Sequence, residues 1–329
     1  MLTNAIRLLM FSLLLVAFLP LFMLGMVGFM IRLKIKNRGI SATAYEPLFN
    51  RMLFHHAGTR DDRAAVKLAP HLPALSPTVA WLMIGTMGLA ARLSGYQGSI
   101  LSYPGARPSS MILVMVHRTA FFDEALASAV DPTGPHPAQQ VVFLGAGWDT
   151  RAFGALRDRP VRVFEVDTPA TQRAKTLALD RADIDASHVT FVETDFGQTS
   201  WLDALLVRGF DPALPTFILW EGVTMYLDEE TVQTTLRKVS GLAVGSRIAF
   251  DTMSLEYFQG FFGQYMHLMI KGFYGESWQF FMSTRAPARK QASDFIASQG
   301  LALAAYEPVG EEREKKVPVG GFTLAERSG

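Results

Sequence analysis

The stretch VVFLGAGWDTRAF, Val141 to Phe153, runs four apolar residues straight into a glycine turn. A buried strand that ends in Gly-x-Gly opens many nucleotide-binding α/β units, because a ligand can approach backbone that carries no Cβ. A dinucleotide loop would continue to a third glycine and hold two phosphates on a helix N-terminus. Here Thr150 stands at the third-glycine position, and Asp149 places a negative charge beside it. The loop therefore points to a ligand without a pyrophosphate.

Downstream of this loop the chain alternates strand-like runs with helical stretches. VVFLGA is followed by VRVFEVD, VTFVETD, TFILWEG and SRIAFDT, with helices expected at Pro169 to Arg181 and at Glu229 to Leu242, the latter capped by Asp228. Several of these strands are apolar on both faces, which suits a mostly parallel sheet covered by helices on each side. LALAAYEP and GGFTLAE, separated by the charged turn EEREKK, read as a closing antiparallel hairpin. The fold class expected is thus α/β, a Rossmann-like mostly parallel sheet.

Chemistry-bearing residues fall at the strand ends. Asp167 ends the second strand, twenty residues past Gly147, where an acid accepts hydrogen bonds from ribose hydroxyls. Glu165 lies on the same strand face and competes for that role, with Asp167 preferred. Asp195 follows the third strand, placed to meet an adenine amino group, and Glu221 follows the fourth. Any one of these acids alone reads as a cap or a solvated loop charge; four successive strand ends carrying Gly, Asp, Asp and Glu favour S-adenosylmethionine, a nucleoside with a sulfonium cation and no phosphate.

Taken in order, VVFLGAGWDTRAF, VFEVDTPATQRAK, WLDALLVRGFDPALPTFILWEGVTMYL and SRIAFD resemble the leucine carboxyl methyltransferase-like family of S-adenosylmethionine-dependent O-methyltransferases. The resemblance covers roughly residues 110 to 252 and the closing hairpin. It implies a class I methyltransferase sheet, with Arg118 gripping the cofactor carboxylate. It also implies Gly145, Gly147, Asp149 and Arg151 in the cofactor loop, Asp167, Asp195, Phe196 and Glu221 in cofactor binding, and Glu221 with Tyr226 of the family's E-x-x-x-x-Y segment as catalytic candidates. Methyl transfer to a carboxylate needs no general base, because the acceptor is already ionised at neutral pH. A hydroxyl acceptor would need one, and Glu221, His117 and Tyr226 are then the candidates.

The amino-terminal third lies outside that pattern. Residues 8 to 31, LLMFSLLLVAFLPLFMLGMVGFMI, contain no charge, and 24 helical residues reach roughly 36 Å, enough to cross a bilayer core. No A-x-A site follows, which favours a retained transmembrane helix over a cleaved signal. Arg32, Lys34, Lys36 and Arg38 follow the run while only Arg7 precedes it, so the positive-inside rule puts the rest of the chain in the cytoplasm. The expected organisation is an anchor with its basic flank at 1 to 38, a helical extension at 39 to 110, and a methyltransferase domain at 111 to 329, with residues 1 to 110 contributing to acceptor choice. A second apolar run, Val79 to Ala91, is too short to span and reads as a core or in-plane helix. Residues 254 to 287 form an aromatic-rich insertion that packs over the sheet edge, lids an apolar acceptor, or touches the bilayer.

Several functions are excluded or disfavoured. The chain has no cysteine, and its net charge of +1 gives no footprint for nucleic acid. No G-x-S-x-G elbow, P-loop or H-E-x-x-H pair occurs, and adjacent His55 and His56 make a poor chelate, so no metal is expected. Two rivals remain: a membrane-tethered nucleoside-binding module without catalysis, and an NAD-dependent oxidoreductase.

Overall fold

A computed structural model describes residues 2–106, 110–195, 200–312 and 317–329. Its centre is a seven-stranded sheet in the order β3-β2-β1-β4-β5-β7-β6. The strands are β1 (Gln140–Leu144), β2 (Arg162–Asp167), β3 (Val189–Glu193), β4 (Thr216–Trp220), β5 (Arg247–Met253), β6 (Ala302–Val309) and β7 (Gly320–Glu326). The first five are parallel, and β7 pairs antiparallel with both β5 and β6. The mostly parallel sheet and the antiparallel closing hairpin read from the sequence are both present.

Strict alternation along the strands builds two cores. Val141 and Phe143 of β1, Phe217 and Leu219 of β4, and Ala249 of β5 belong to one apolar cluster. Val142, Leu144, Ile218, Trp220, Ile248 and Phe250 belong to the other. The second face is covered by α8 (Trp201–Val207), α9 (Glu229–Ser240) and α12 (Ala288–Ser298), through Leu205, Leu236 and Ile296 among others. The first is covered by α6 (Val114–Ala129), α7 (Pro169–Arg181) and the amino-terminal helices. Burial on both sides is what made these strands apolar throughout. The cap on α9 is as expected, with the Asp228 carboxylate accepting from the Thr231 N–H at 2.7 Å.

The amino-terminal segment is integral to the first core. Helix α1 (Leu2–Lys36) is followed by α2 (Tyr45–Ala57) and α3 (Arg63–Leu68). Then α4 (Pro77–Ala80), a π-helical turn at Trp81–Gly85 and α5 (Thr86–Ser94) run on without leaving helical backbone, covering the apolar run at 79 to 91. Phe11 and Phe29 of α1, Leu48 and Met52 of α2, and Met83 and Ala90 of the 77–94 rod share one cluster with the sheet residues. Among the described residues, this cluster draws members from both sides of residue 38 and of residue 110. Inside residues 254 to 287, α10 (Leu255–Gln259) and α11 (Phe261–Tyr274) divide the aromatics: Phe258, Trp278 and Phe280 point inward, whereas Phe261, Phe262 and Tyr265 are exposed.

Close approach of α1 to the rod depends on Gly25, where a Cβ would lie 2.8 Å from Leu82 Cβ and 3.0 Å from Met83 Cγ. Gly25→Leu should overpack this contact at a cost of about 1–3 kcal/mol, against a helix-propensity gain of at most about 1 kcal/mol. A lowered melting temperature is therefore expected. Gly272→Ala, in α11 with nothing within 4 Å of its Cβ position, is the control and should not lower it.

Candidate active site

The sheet reverses direction of growth between β1 and β4, and in open α/β sheets ligands bind in the crevice beyond the strand ends at that point. A cavity of about 780 Å³ lies there, within the roughly 300–1,000 Å³ of small-molecule sites. One end is formed by Gly145 to Asp149 after β1, Asp167 and Thr168 after β2, and Glu221 to Val223 after β4. The other is apolar, walled by Met253, Phe258, Met266, Trp278, Val319 and Phe322.

The glycine loop has the conformation its sequence demands. Gly145 and Gly147 have φ of +67° and +45°, and a Cβ on Gly145 would come within 2.5 Å of Val223 Cγ2. Asp167 ties the loop down: its two carboxylate oxygens accept from the Gly147 and Thr168 backbone N–H groups, each at 2.7 Å. Burial pushes its carboxyl up, and these two N–H donors pull it back. Glu165 is fully buried outside the cavity, with Lys175 Nζ at 2.7 Å, and burial pushes its carboxyl up to about 7. Of the two acids on that strand face, the structure brings only Asp167 to the cavity.

Asp149, expected from the sequence to disfavour a pyrophosphate by its charge, is neutralised in the fold. Asp149 does not present a bare charge, because Arg51 Nη1 lies 3.1 Å and Arg151 Nη1 2.5 Å from its Oδ2, and its Oδ1 accepts from the Arg151 N–H at 2.8 Å. The conclusion rests on geometry instead. After the loop the chain makes one 3₁₀ turn at Arg151–Phe153 and further turns before β2 begins. No α-helix starts there, so its N-terminal dipole is missing from the place where a pyrophosphate would sit.

Glu221 and Arg118 are drawn into the same buried charge system. Arg118 Nε lies 3.1 Å from Glu221 Oε1 and 3.2 Å from Asp251 Oδ2, while Arg151 Nη1 donates to Glu221 Oε2 at 2.7 Å. Arg151 also donates through Nε to Asp123 Oδ1 at 2.6 Å, and Arg60 donates to Asp123 Oδ2 at 2.6 Å. Both oxygens of Glu221 are thus committed to guanidinium groups. Tyr226 lines the cavity and its hydroxyl donates to Thr43 Oγ1 at 2.9 Å; burial pushes the phenol up to about 12, so it is no base near neutral pH. His117 is fully buried and not part of the cavity lining.

One expected residue is not brought to the site. Asp195 is exposed and is not among the residues of the cavity wall. Phe196 lies outside the described residues.

The amino-terminal segment supplies residues that sequence reasoning missed. Ser41, Thr43, Ala44, Glu46 and Arg51 line the cavity. Glu276, after α11, accepts from Ser41 Oγ (2.9 Å), the Ala42 N–H (2.8 Å) and Thr43 Oγ1 (2.8 Å), tying two segments of the cavity wall together. Glu46 keeps solvent contact inside the cavity, yet the dense surround raises its carboxyl, with Arg118 opposing. These contacts join positions 98 to 235 residues apart, so no local signal announces them. Among the described residues no group of three or more His, Cys, Asp or Glu is placed to hold a metal.

With this geometry in place, the comparisons are informative. Residues 92–240 match the family model described as leucine carboxyl methyltransferase. A Streptomyces avermitilis protein, named a candidate S-adenosyl-L-methionine-dependent methyltransferase, is 39% identical over 41% of this chain and 46% of its own length. A Mycolicibacterium vanbaalenii protein of the same description is 31% identical over 57% of this chain and 62% of its own. The matched region thus spans about half to three-fifths of these relatives. Among solved structures, an O-methyltransferase family protein from Burkholderia thailandensis aligns at TM-score 0.43 and 18% identity, over 65% of this chain and 57% of that one. Mitomycin 7-O-methyltransferase aligns at 0.40 and 15%, over 66% and 57%.

Asp123 tests the charge system. The guanidinium groups of Arg151 and Arg60 hold its carboxyl below the ordinary 3.8, against the effect of burial. A depressed carboxylate stabilises the fold above its unfolded value, and the contribution is lost as pH falls through the folded one. Asp123→Asn should cost on the order of 3 kcal/mol at pH 7, as one partner of a buried pair is removed. It should also make the stability loss between pH 5 and 3 shallower than in the parent chain, read by denaturant unfolding.

Proposed function

We propose that this chain, whose residues 92–240 are of the leucine carboxyl methyltransferase family, is a membrane-associated S-adenosylmethionine-dependent O-methyltransferase with an apolar acceptor. One observation carries the reading: a cavity whose loop end holds Gly145, Gly147, Asp167 and Arg118, and whose other end is walled by Met253, Phe258, Met266 and Trp278. The first half fits a phosphate-free nucleoside bearing an amino acid, and the second an apolar acceptor.

The residues fit the cofactor chemically. Gly145 and Gly147 supply the positive-φ turn that brings backbone to the cavity wall, and Asp167 retains lone pairs for ribose hydroxyls after bracing the loop. Arg118 is held at the crevice with its guanidinium wedged against Gly222, whose Cβ would fall 2.2 Å from Nη2. It is the cation for the amino acid carboxylate, held in place by Glu221 and Asp251. When bound, S-adenosylmethionine supplies an electrophilic methyl group. The chain's own work is alignment of the acceptor oxygen and exclusion of water, the latter through the apolar wall.

A carboxylate acceptor needs no base. For a hydroxyl acceptor the geometry offers Glu46, a cavity-lining carboxylate raised by burial, in place of Glu221, His117 or Tyr226. Glu46→Gln therefore separates the two chemistries: turnover retained means a carboxylate, and loss of the acidic limb of the pH profile means a hydroxyl. The membrane link rests on α1, which holds a helical window of mean hydropathy 2.5. On α11, Met266 lines the cavity while Phe262 and Tyr265 face outward, as expected of a lid that an apolar substrate passes. The basic flank after residue 31 supports a cytoplasmic-facing body as part of this reading.

Titration calorimetry should detect S-adenosylhomocysteine binding and no NAD binding. Asp167→Ala removes a hydrogen-bonded carboxylate of a kind worth roughly 1.5–3 kcal/mol, so at least about tenfold weaker binding is expected. No uptake by the parent chain would overturn the cofactor assignment. Binding without methyl-label transfer to any membrane extract would favour a tethered nucleoside-binding module.

A further inference from the structure

The packing of α1 restricts how it can meet a bilayer. The helix does not project from the body; it lies along it. Gly95 approaches Arg7, the Phe11 and Tyr96 rings stack at 5.2 Å, Gly25 faces Leu82 and Met83, and Gly28 faces Val79. Arg32 donates to the Leu75 carbonyl. The segment from 75 to 96 therefore runs antiparallel beside α1 from residue 32 back to residue 7, about 37 Å of helix.

Helix α2 runs beside the same stretch. Phe29 meets Tyr45 at 5.4 Å and Phe49 at 5.5 Å at one end. Toward the other, a Cβ on Gly88 would lie 2.5 Å from His56 Cβ, and Gln97 Nε2 donates to the Ala57 carbonyl at 2.9 Å. Midway along α2 stands Arg51, paired with Asp149 of the glycine loop. Were α1 to cross perpendicular to the membrane, Arg51, Asp149 and the cavity would be carried to the depth of the hydrocarbon, where charged groups are costly.

The outward face of α1 tells the same story. Leu9, Leu13, Val16, Leu24, Val27 and Ile31 recur at intervals of three, four or eight and are each more than half exposed. They form one stripe, and on the adjacent rod Trp81 and Leu93 are also more than half exposed. The opposite face of α1 is apolar because it packs on the body. That explains a helix hydrophobic all round that nonetheless need not span. Exposed Arg7 and Arg92 lie at one end, and exposed Lys34, Lys36 and Arg38 at the other; α1 contains no acid. A wide apolar strip with cations at both ends matches an anionic lipid surface.

We infer that α1 and the 77–94 rod form a monotopic surface that lies in the plane of an anionic leaflet, with both ends of α1 on the same side. The inference rests on the membrane association proposed above and replaces a crossing anchor with an in-plane one. A chain without cysteine makes the test clean. Single cysteines at Thr3 and at Lys36 are labelled with an impermeant maleimide after adding the full chain to sealed phosphatidylglycerol–phosphatidylcholine vesicles. Both should react from outside without lysis, and spin labels at Leu9, Val16, Val27 and Ile31 should report similar shallow depths. Leu13→Glu/Val16→Glu/Val27→Glu should cut vesicle flotation at least tenfold while leaving melting temperature and S-adenosylhomocysteine binding unchanged.

Protection of one terminus, with depth peaking at mid-helix, would overturn the inference in favour of a crossing helix. Unchanged flotation, with a concentration-dependent dimer abolished by the same substitutions, would overturn it in favour of a second copy on this face. Neither readout depends on whether the cavity takes a methyl donor, so failure here and failure of the enzyme assignment are distinguishable.

Discussion

Arg151 is the side chain on which the architecture of the site depends. One buried guanidinium joins Asp123 of α6, Asp149 of the glycine loop and Glu221 after β4. A buried ion pair contributes little net stability against an apolar substitute, yet breaking one is costly. Such a network therefore specifies more than it stabilises. It allows the loop, the β4 tip and the covering helices only one mutual arrangement, because any other leaves a charge unpaired away from water.

The same constraint divides labour at the crevice. Acids that look free in the sequence are committed: Asp149 and Glu221 to arginines, Glu165 to Lys175. Asp167 braces the loop through two backbone donors while remaining in the cavity wall. A site organised this way offers little acid–base machinery, in keeping with a transfer whose barrier is lowered by alignment and dryness. Glu46 is the exception, a cavity carboxylate that Arg118 attracts.

Seating of the amino-terminal helices on the sheet also changes what α1 is. Phe11 and Phe29 are as buried as core residues of the sheet layer, so its removal would strip the first core and not merely untether the chain. The cavity and the exposed apolar stripe thereby belong to one body: residues of α2 line the cavity, and α1, which meets α2 through Phe29, carries the stripe.

Local pattern determined the elements. Strands apolar on both faces required a covered parallel sheet, Gly145 and Gly147 required a turn with positive φ, and Asp228 required a helix start, since each follows from backbone sterics, capping or burial within a few residues. Asp167 at the strand end was legible for the same reason. What the chain could not disclose locally were partners distant along it: Arg51 neutralising Asp149, and Glu276 accepting from residues 41 to 43. Hydropathy established that residues 8 to 31 avoid water, but avoidance has no direction. Whether such a helix crosses a bilayer or lies in it is decided by what packs along its flank, which is a property of the tertiary structure alone.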